Sequence, residues 1–345
     1  MTRRKHIALI GLGMAVTLHA KSLMDLADKV EVVHAISPSR QRRQAFAERF
    51  AFALGDSLEP VLRNGNVEIA AVLTPPNTHL EIVTALARAG KHILLEKPLE
   101  VESERADQLV RVCADAGVTL GVVLQHRFKP AAERLAAILK AGGLGQIVGA
   151  SASIRLWRPQ SYYDEPGRGS LARDGGGVLL TQGIHTLDLL LSLAGPVLEV
   201  CGYATTSAVH RMETEDLVCA AVRFASGAVG VIEATTAAYP GAPERIELLG
   251  TLGSAALAGT ALGIAYQDGR RQEVAADDTA GGTGADPMAF PHDYHLGVWR
   301  DFLAAVDERR PPRVSGREAL RVHRLIDALL AAAGSGGKVK VSLSP

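Results

Sequence analysis

A chain of 345 residues with 47% hydrophobic and 21% charged residues exceeds a typical single domain and has the make-up of a two-domain globular protein. Its 37 basic and 37 acidic residues cancel, so no whole-chain field draws it to nucleic acid or to an anionic membrane. Cys113, Cys201 and Cys219 are odd in number and lack Cys-x-x-Cys spacing, which excludes a disulfide framework and reads as small core residues in a reducing, cytoplasmic compartment.

Thr2-Arg3-Arg4-Lys5 followed by the apolar run 7–18 imitates an export signal, but no small-x-small cleavage site follows. No stretch reads as long and apolar enough to span a bilayer. Residues 6–10 form a short apolar strand, Gly11-Leu-Gly13 a tight turn, and residues 14–26 a helix. Strand, glycine turn and helix together make a dinucleotide-binding hypothesis, because the glycines admit a pyrophosphate and the helix start favours its charge. Val16 stands where a third glycine is usual.

The strand 30–36 ends in Ser37, where an Asp or Glu would bind the ribose 2′-hydroxyl of NAD. Ser39, Arg40, Arg42 and Arg43 follow, hydroxyls and guanidiniums that suit a 2′-phosphate; the alternative is a solvated basic helix start. The strand 69–73 runs into Thr74-Pro75-Pro76-Asn77-Thr78-His79, a stiffened loop expected beside the nicotinamide ribose, and then into a helix over 80–89 capped by Gly90. The strand 93–96 delivers Glu96 and Lys97 to the edge where ligands bind in a parallel sheet. Pro98 stops the strand and can hold a cis bond that fixes how Lys97 is aimed; the plain alternative is a surface Glu-Lys pair. A helix over 103–116 and a strand over 119–124 complete an alternating pattern that predicts an α/β, doubly wound parallel sheet.

Beyond Phe128 hairpins replace the alternation. Residues 147–156 alternate as a half-buried strand, 217–224 and 228–236 flank Ser226-Gly227, and 245–249 and 254–257 flank 250–253. One antiparallel sheet follows, whose outer face, with Val229, Val231 and Ala234, predicts a partner subunit in a homodimer or homotetramer. Residues 277–286, rich in Gly, Ala and Thr, are a mobile-loop candidate. Residues 294–307 and 316–333 read as closing helices and 338–343 as a final strand. Domains are expected over 1–124 and 125–345.

The chemistry of this half centres on Arg168-Gly-Ser170, Gly175-Gly176-Gly177 and a helix bearing Thr181, His185 and Asp188, whose spacing of four and three puts them on one face. A lone helical histidine is commonly structural, and only context makes His185 a catalytic candidate.

As a set, Gly11-x-Gly13 with His19, Thr74-Pro75-Pro76-x-x-His79, Gly90-Lys91-His92 leading to Glu96-Lys97-Pro98, Gln125-His126-Arg127-Phe128, and Gly175-Gly176-Gly177 through His185 to Asp188 resemble the Gfo/Idh/MocA family over nearly the whole length. The resemblance implies a Rossmann domain followed by an α+β domain with a large, open, mostly antiparallel sheet. It also implies an oxidoreductase that moves a hydride between NADP, or NAD, and a carbon of a sugar, polyol or sugar derivative. Gly11, Gly13, Met14, Ser37, Ser39, Arg40, Arg42, Thr74, Pro75, Asn77, His79, Glu96, Lys97 and Gln125 are then the candidate cofactor-binding residues. Lys97 and His185 are the catalytic candidates, with Thr181, Tyr163, Arg168 and His295 on the substrate side. Many relatives carry Asp or Asn in place of Thr181; a threonine is no general base, which leaves more of the proton transfer to His185. No histidine shows metal-ligand spacing, and no metal is expected. A non-enzymatic dinucleotide sensor of the same fold is the competing reading, and a dehydrogenase of nucleotide sugars a variant of the first.

Overall fold

The computed structural model describes residues 3–276 and 291–343; the loop candidate 277–286 lies outside the described residues. The chain opens as β1 (Lys5–Ile10), α1 (Val16–Asp25), β2 (Val30–Ile36), α2 (Arg40–Ala47), β3 (Leu54–Gly55), α3 (Glu59–Arg63), β4 (Val67–Val72), α4 (His79–Arg88), β5 (His92–Glu96), α5 (Ser103–Asp115) and β6 (Leu120–Val123). Ile7 to Leu9, Ile69 to Val72 and Ile93 to Leu95 are completely buried. Such near-continuous apolar runs suit a parallel sheet covered on both faces. All six strands are parallel, in the order β3-β2-β1-β4-β5-β6. The chain therefore winds outward in opposite directions from β1 and β4, the switch point where such sheets bind ligands. β3 and α3 escaped the sequence reading because both are too short to show a period.

Then follow α6 (Pro130–Lys140), β7 (Ile147–Arg155), α7 (Gln160–Tyr163), α8 (Leu171–Asp174), a π-helical turn (Leu179–Gly183), α9 (Ile184–Ala194), β8 (Val197–Thr205), β9 (Leu217–Phe224), β10 (Val229–Thr235), β11 (Arg245–Gly250), β12 (Gly253–Ala258), β13 (Ala261–Tyr266) and β14 (Arg271–Val274). The chain closes with α10 (Asp293–Glu308), α11 (Gly316–Ser335) and β15 (Val339–Lys340). The second sheet has nine strands, β14-β13-β12-β11-β7-β10-β9-β8-β15, antiparallel except for the parallel pair β7 and β10.

The division into units corrects the expectation of two contiguous domains. The described residues up to Val123 form the first unit together with Pro291–Leu320, and the second holds those from Leu124 to residue 276 and from Arg321 onward. Packing explains the return. α10 lies on α1, and Gly121 leaves room for Phe302, whose ring carbon would stand 2.6 Å from a Cβ there. The segment before α11 closes the edge of β6 through the Val122 amide on the Val314 carbonyl at 2.9 Å, which covers an otherwise open strand.

Three further expectations change. Ala234 is buried, because the alternation along β10 turns Val229 and Val231 outward and Ile232 and Ala234 inward. Cys201 and Cys219 are exposed on the same outward face, and only Cys113 is a core thiol. Leu171–Ala194 does meet the length and composition of a membrane span, yet 78% of its apolar window is buried inside the protein, as befits a core helix.

His323 on α11 is buried, and desolvation pushes its imidazole down to about 4. An unfolded chain takes up that proton near pH 6.5 while the folded one refuses it, so stability falls as pH drops from 6.5 toward 4. The full loss is about 3 kcal/mol. Denaturant melts of His323→Leu against wild type between pH 4 and 7 should show a flatter pH dependence in the variant.

Candidate active site

In the first unit the candidate residues gather at the carboxyl edge of the parallel sheet. Gly11 adopts φ +102°, and a Cβ there would lie 2.7 Å from the Leu73 carbonyl oxygen, so the approach of β1 to the end of β4 requires glycine. Gly13 differs: among the described residues, its chain neighbours aside, nothing lies within 4 Å of where its Cβ would be. The space beside it is open to a ligand, and α1 begins just beyond, with no side-chain cap and no acid in its first turn. Such a helix start, with no acid in its first turn, favours an anion. Met14 stands exposed at the tip, and Val16 is accommodated with its side chain buried.

At the end of β2 the buried Ser37 hydroxyl accepts the Ser39 amide at 3.3 Å, and the Ser39 hydroxyl accepts the Arg42 amide at 3.3 Å, capping α2. Arg43 folds back onto the carbonyls of Ser37 (2.5 Å) and Pro38 (3.1 Å), while Arg40 and Arg42 stay exposed. After β4, Pro75 and Asn77 are exposed, and the Thr78 hydroxyl reaches the Pro75 carbonyl at 2.7 Å, closing a tight turn. His79 departs from the expected cofactor contact. It is fully buried, with Nε2 2.9 Å from the Thr74 carbonyl and Nδ1 3.1 Å from those of Pro98 and Leu99, and so ties two loops together. Burial lowers its pKa.

The Lys97–Pro98 bond is cis. Glu96 is buried at the end of β5 and sits in a cluster with His19 and His295. Its Oε1 is 2.9 Å from His19 Nε2 and 3.8 Å from His295 Nε2, and its Oε2 accepts the Lys97 amide at 3.1 Å. The Trp299 indole donates to His19 Nδ1 at 3.1 Å. Desolvation opposes ionisation of Glu96, but hydrogen bonding from the His19 and His295 rings outweighs it and holds the carboxyl well below the usual range. Desolvation lowers the pKa of His295, against the pull of Glu96.

The donor atoms of His19, Glu96 and His295 lie within 4.8 Å of one another, close enough to suggest a metal. Trp299 argues otherwise. A metal-ligating imidazole donates its second N–H outward, whereas His19 Nδ1 faces an indole that can only donate. The neutral ring therefore carries its proton on Nε2 and gives it to Glu96, which makes the cluster a hydrogen-bond relay. His295, expected to grip substrate hydroxyls, belongs to this buried relay instead.

In the second unit the glycine run leads into α9. A Cβ on Gly177 would lie 1.8 Å from the Glu215 carbonyl oxygen, and the Glu215 carboxylate accepts the amides of Gly177 (3.0 Å) and Leu179 (3.1 Å). Thr181 lies within the π turn (Leu179–Gly183) that leads into α9, the helix that bears His185 and Asp188. The Thr181 hydroxyl donates to the Gly177 carbonyl at 2.6 Å and lies against the Gln182 amide oxygen. Asp188 is 1% exposed and takes a bidentate pair from Arg127, Nε at 2.7 Å and Nη2 at 2.6 Å. His185 lies with its ring 5.0 Å from that of His126, and His126 Nδ1 is 3.6 Å from Glu244.

Tyr163 is buried with its hydroxyl 2.8 Å from that of Thr236, and burial pushes the phenol up to about 12. Arg168 pairs with Glu165, donates to the Tyr162 hydroxyl at 2.7 Å and stacks on its ring at 4.1 Å. Tyr163 and Arg168, two of the four substrate-side candidates, are thus engaged in local structure. Gln125, buried, opens the second unit just after β6.

Residues 5–124 match the family model described as an oxidoreductase family with an NAD-binding Rossmann fold, and residues 132–256 match the GFO/IDH/MocA C-terminal domain. The chain belongs to the Gfo/Idh/MocA family. It is similar to a myo-inositol 2-dehydrogenase of Thermotoga maritima, 28% identical over 90% of this chain and 91% of that one. It is likewise similar to a D-xylose 1-dehydrogenase (NADP(+)) of Haloferax volcanii, 26% identical over 89% and 92%. Among solved structures it is similar to the WlbA dehydrogenase of Bordetella pertussis in complex with NADH and UDP-GlcNAcA, with a TM-score of 0.84 and 28% identity over 99% and 100% of the two chains.

This Gfo/Idh/MocA member is an NAD(P)-dependent oxidoreductase acting on CH–OH groups. The open space at Gly13 and the uncapped start of α1 fit a dinucleotide pyrophosphate. Sequence reasoning missed His126, although the Gln-His-Arg-Phe motif contains it, and missed Trp299 altogether, since nothing local marks an indole as the partner of a histidine 280 positions earlier.

Proposed function

We propose that the protein is a sugar or polyol dehydrogenase that prefers NADP(H), with Lys97 and His185 as its catalytic groups. One observation carries the reading: the edge that opens an anion-binding helix start beside Gly13 also bears Glu96-Lys97 at the end of β5, in a chain related along its length to dehydrogenases of inositol and xylose. The nicotinamide, when bound, accepts the hydride of a carbinol carbon or returns it to the carbonyl. Lys97 hydrogen-bonds the reacting oxygen and offsets the charge that develops there. His185 takes the hydroxyl proton during oxidation and gives it back during reduction, a task suited to a group that titrates near neutrality. The dehydrogenases among the relatives favour catalysis over the sensor reading. The likeness to WlbA favours, as a second reading, a nucleotide-sugar substrate. Absorbance of the reduced cofactor across a panel of polyols, sugars, lactones and nucleotide sugars tests both; turnover of none returns the sensor to consideration.

Ser37, Arg40 and Arg42 with no carboxylate among residues 37–44 support the cofactor preference. A charge-assisted contact to the extra phosphate is worth about 1.5 to 3 kcal/mol, so NADP(H) should bind roughly ten- to a hundredfold more tightly than NAD(H). Fluorescence titration checks this, and Ser37→Asp should reverse the order; equal affinity in the wild type would refute it.

The proposed partner is a second copy of the chain. Tyr203 (80% exposed), Val229 (57%) and Val231 (55%) form an outward patch on adjacent strands, continuous through the pairs Val231 with Ala221 and Ala221 with Cys201. Sedimentation at micromolar concentration should give a dimer or tetramer, and Val231→Glu should release monomers. A wild-type monomer would count decisively against it. Free thiols on two of the three cysteines at the surface fit a cytoplasmic setting.

A further inference from the structure

We infer that Trp299, His19 and His295 are positioning residues for Lys97, acting through Glu96. The inference rests on the catalytic role proposed for Lys97. Every polarity along the chain of contacts is fixed by chemistry. The indole only donates, so His19 Nδ1 accepts; the ring proton then sits on Nε2 and points to Glu96 Oε1. Glu96 Oε2, on the other side of the carboxylate, accepts the amide of Lys97. The carboxylate is therefore gripped from inside the fold through one oxygen and holds the backbone of the next residue through the other. That backbone is the origin of the Lys97 side chain.

His295 and Trp299 are four apart on α10, hence on one face, and both turn toward His19: the His295 ring centroid lies 5.1 Å and the Trp299 ring 6.0 Å from it, each at 84°. The return of α10 to the first unit thus has a purpose besides covering apolar surface. It brings in two of the three side chains that brace Glu96. A buried carboxylate held by charge-assisted bonds is a stiff anchor, and displacement of a reacting group by about 1 Å can cost up to about a hundredfold in rate.

Trp299→Phe keeps an aromatic ring beside Phe302 while removing the indole donor and part of the ring volume. His19→Leu removes both bonds, and His19→Gln supplies an acceptor and a donor in their place, so rescue by glutamine separates the bonds from packing. In the holoenzyme, Trp299→Phe and His19→Leu should lower kcat about ten- to a hundredfold, with substrate KM and NADP(H) Kd within about threefold of wild type. His19→Gln should recover most of the loss. Exchange of the Lys97 amide hydrogen, read without any turnover, should quicken about tenfold in Trp299→Phe and His19→Leu and slow again in His19→Gln. Unchanged kcat and unchanged exchange in both disruptive variants would overturn the inference, as would a glutamine variant no better than leucine. Lys97→Ala, measured alongside, separates the two readings. If it retains wild-type kcat, the catalytic role falls; if it is impaired while Trp299→Phe is not, the positioning role alone falls.

Discussion

His185→Ala should lower kcat by about 10² to 10⁴, the usual cost of removing a positioned acid/base group, and Lys97→Ala should do the same. NADP(H) affinity should stay nearly unchanged in His185→Ala, because the imidazole is not asked to hold the dinucleotide in the ground state, whereas Lys97 is also a candidate cofactor contact and its variant is read on kcat. If both act on one substrate oxygen, the double variant should fall well short of the product of the single effects, since groups that work as a unit are lost together. Thr181→Ala should matter much less: its hydroxyl is given to the Gly177 carbonyl. Steady-state kinetics on whichever substrate the panel identifies provide the measurement. A His185→Ala enzyme with wild-type kcat would remove the histidine from the proton step.

The parts of this fold that were legible in the sequence are those whose signal is local. A parallel strand buried on both faces must be a short apolar run, so β1, β2, β4 and β5 could be read within two residues of their ends. Glycine turns and the residues that follow them are equally local, hence Gly11, Gly13, Ser37 and Lys97. The hairpins β9/β10 and β11/β12 announced themselves by alternation around Gly-containing turns. By contrast β8, β13 and β14 mix small, polar and apolar residues, and their identity is settled by the strands they pair with. The amphipathic pattern of α10 says that one face is buried but not against which unit, which is why the domain division was drawn contiguous. The support of Glu96 was hidden for the same reason: its partners come from α1 and α10, 77 and 199 positions away.

Asp188 shows how far a residue in the right motif can differ from the role its motif suggests. It was grouped with His185 as part of a reactive face, yet its carboxylate is 1% exposed and takes both bonds of the Arg127 fork, at 2.6 and 2.7 Å. Breaking such a pair from one side removes the bidentate countercharge of a buried group, a change that typically costs about 3 to 5 kcal/mol. Asp188→Leu and Arg127→Met should therefore each lower the unfolding midpoint of the second unit by roughly 10 °C, a far larger loss than any exposed pair such as Arg63 with Glu59 can produce. Joining the two changes should restore much of the stability, since an apolar pair of similar volume replaces the buried ions without paying their desolvation. Calorimetry on the two single variants and the double gives the coupling directly. Additive losses would mean that the two groups are held independently, and a single variant melting with the wild type would mean that solvent reaches the pair. Either result would overturn the structural role assigned to this pair.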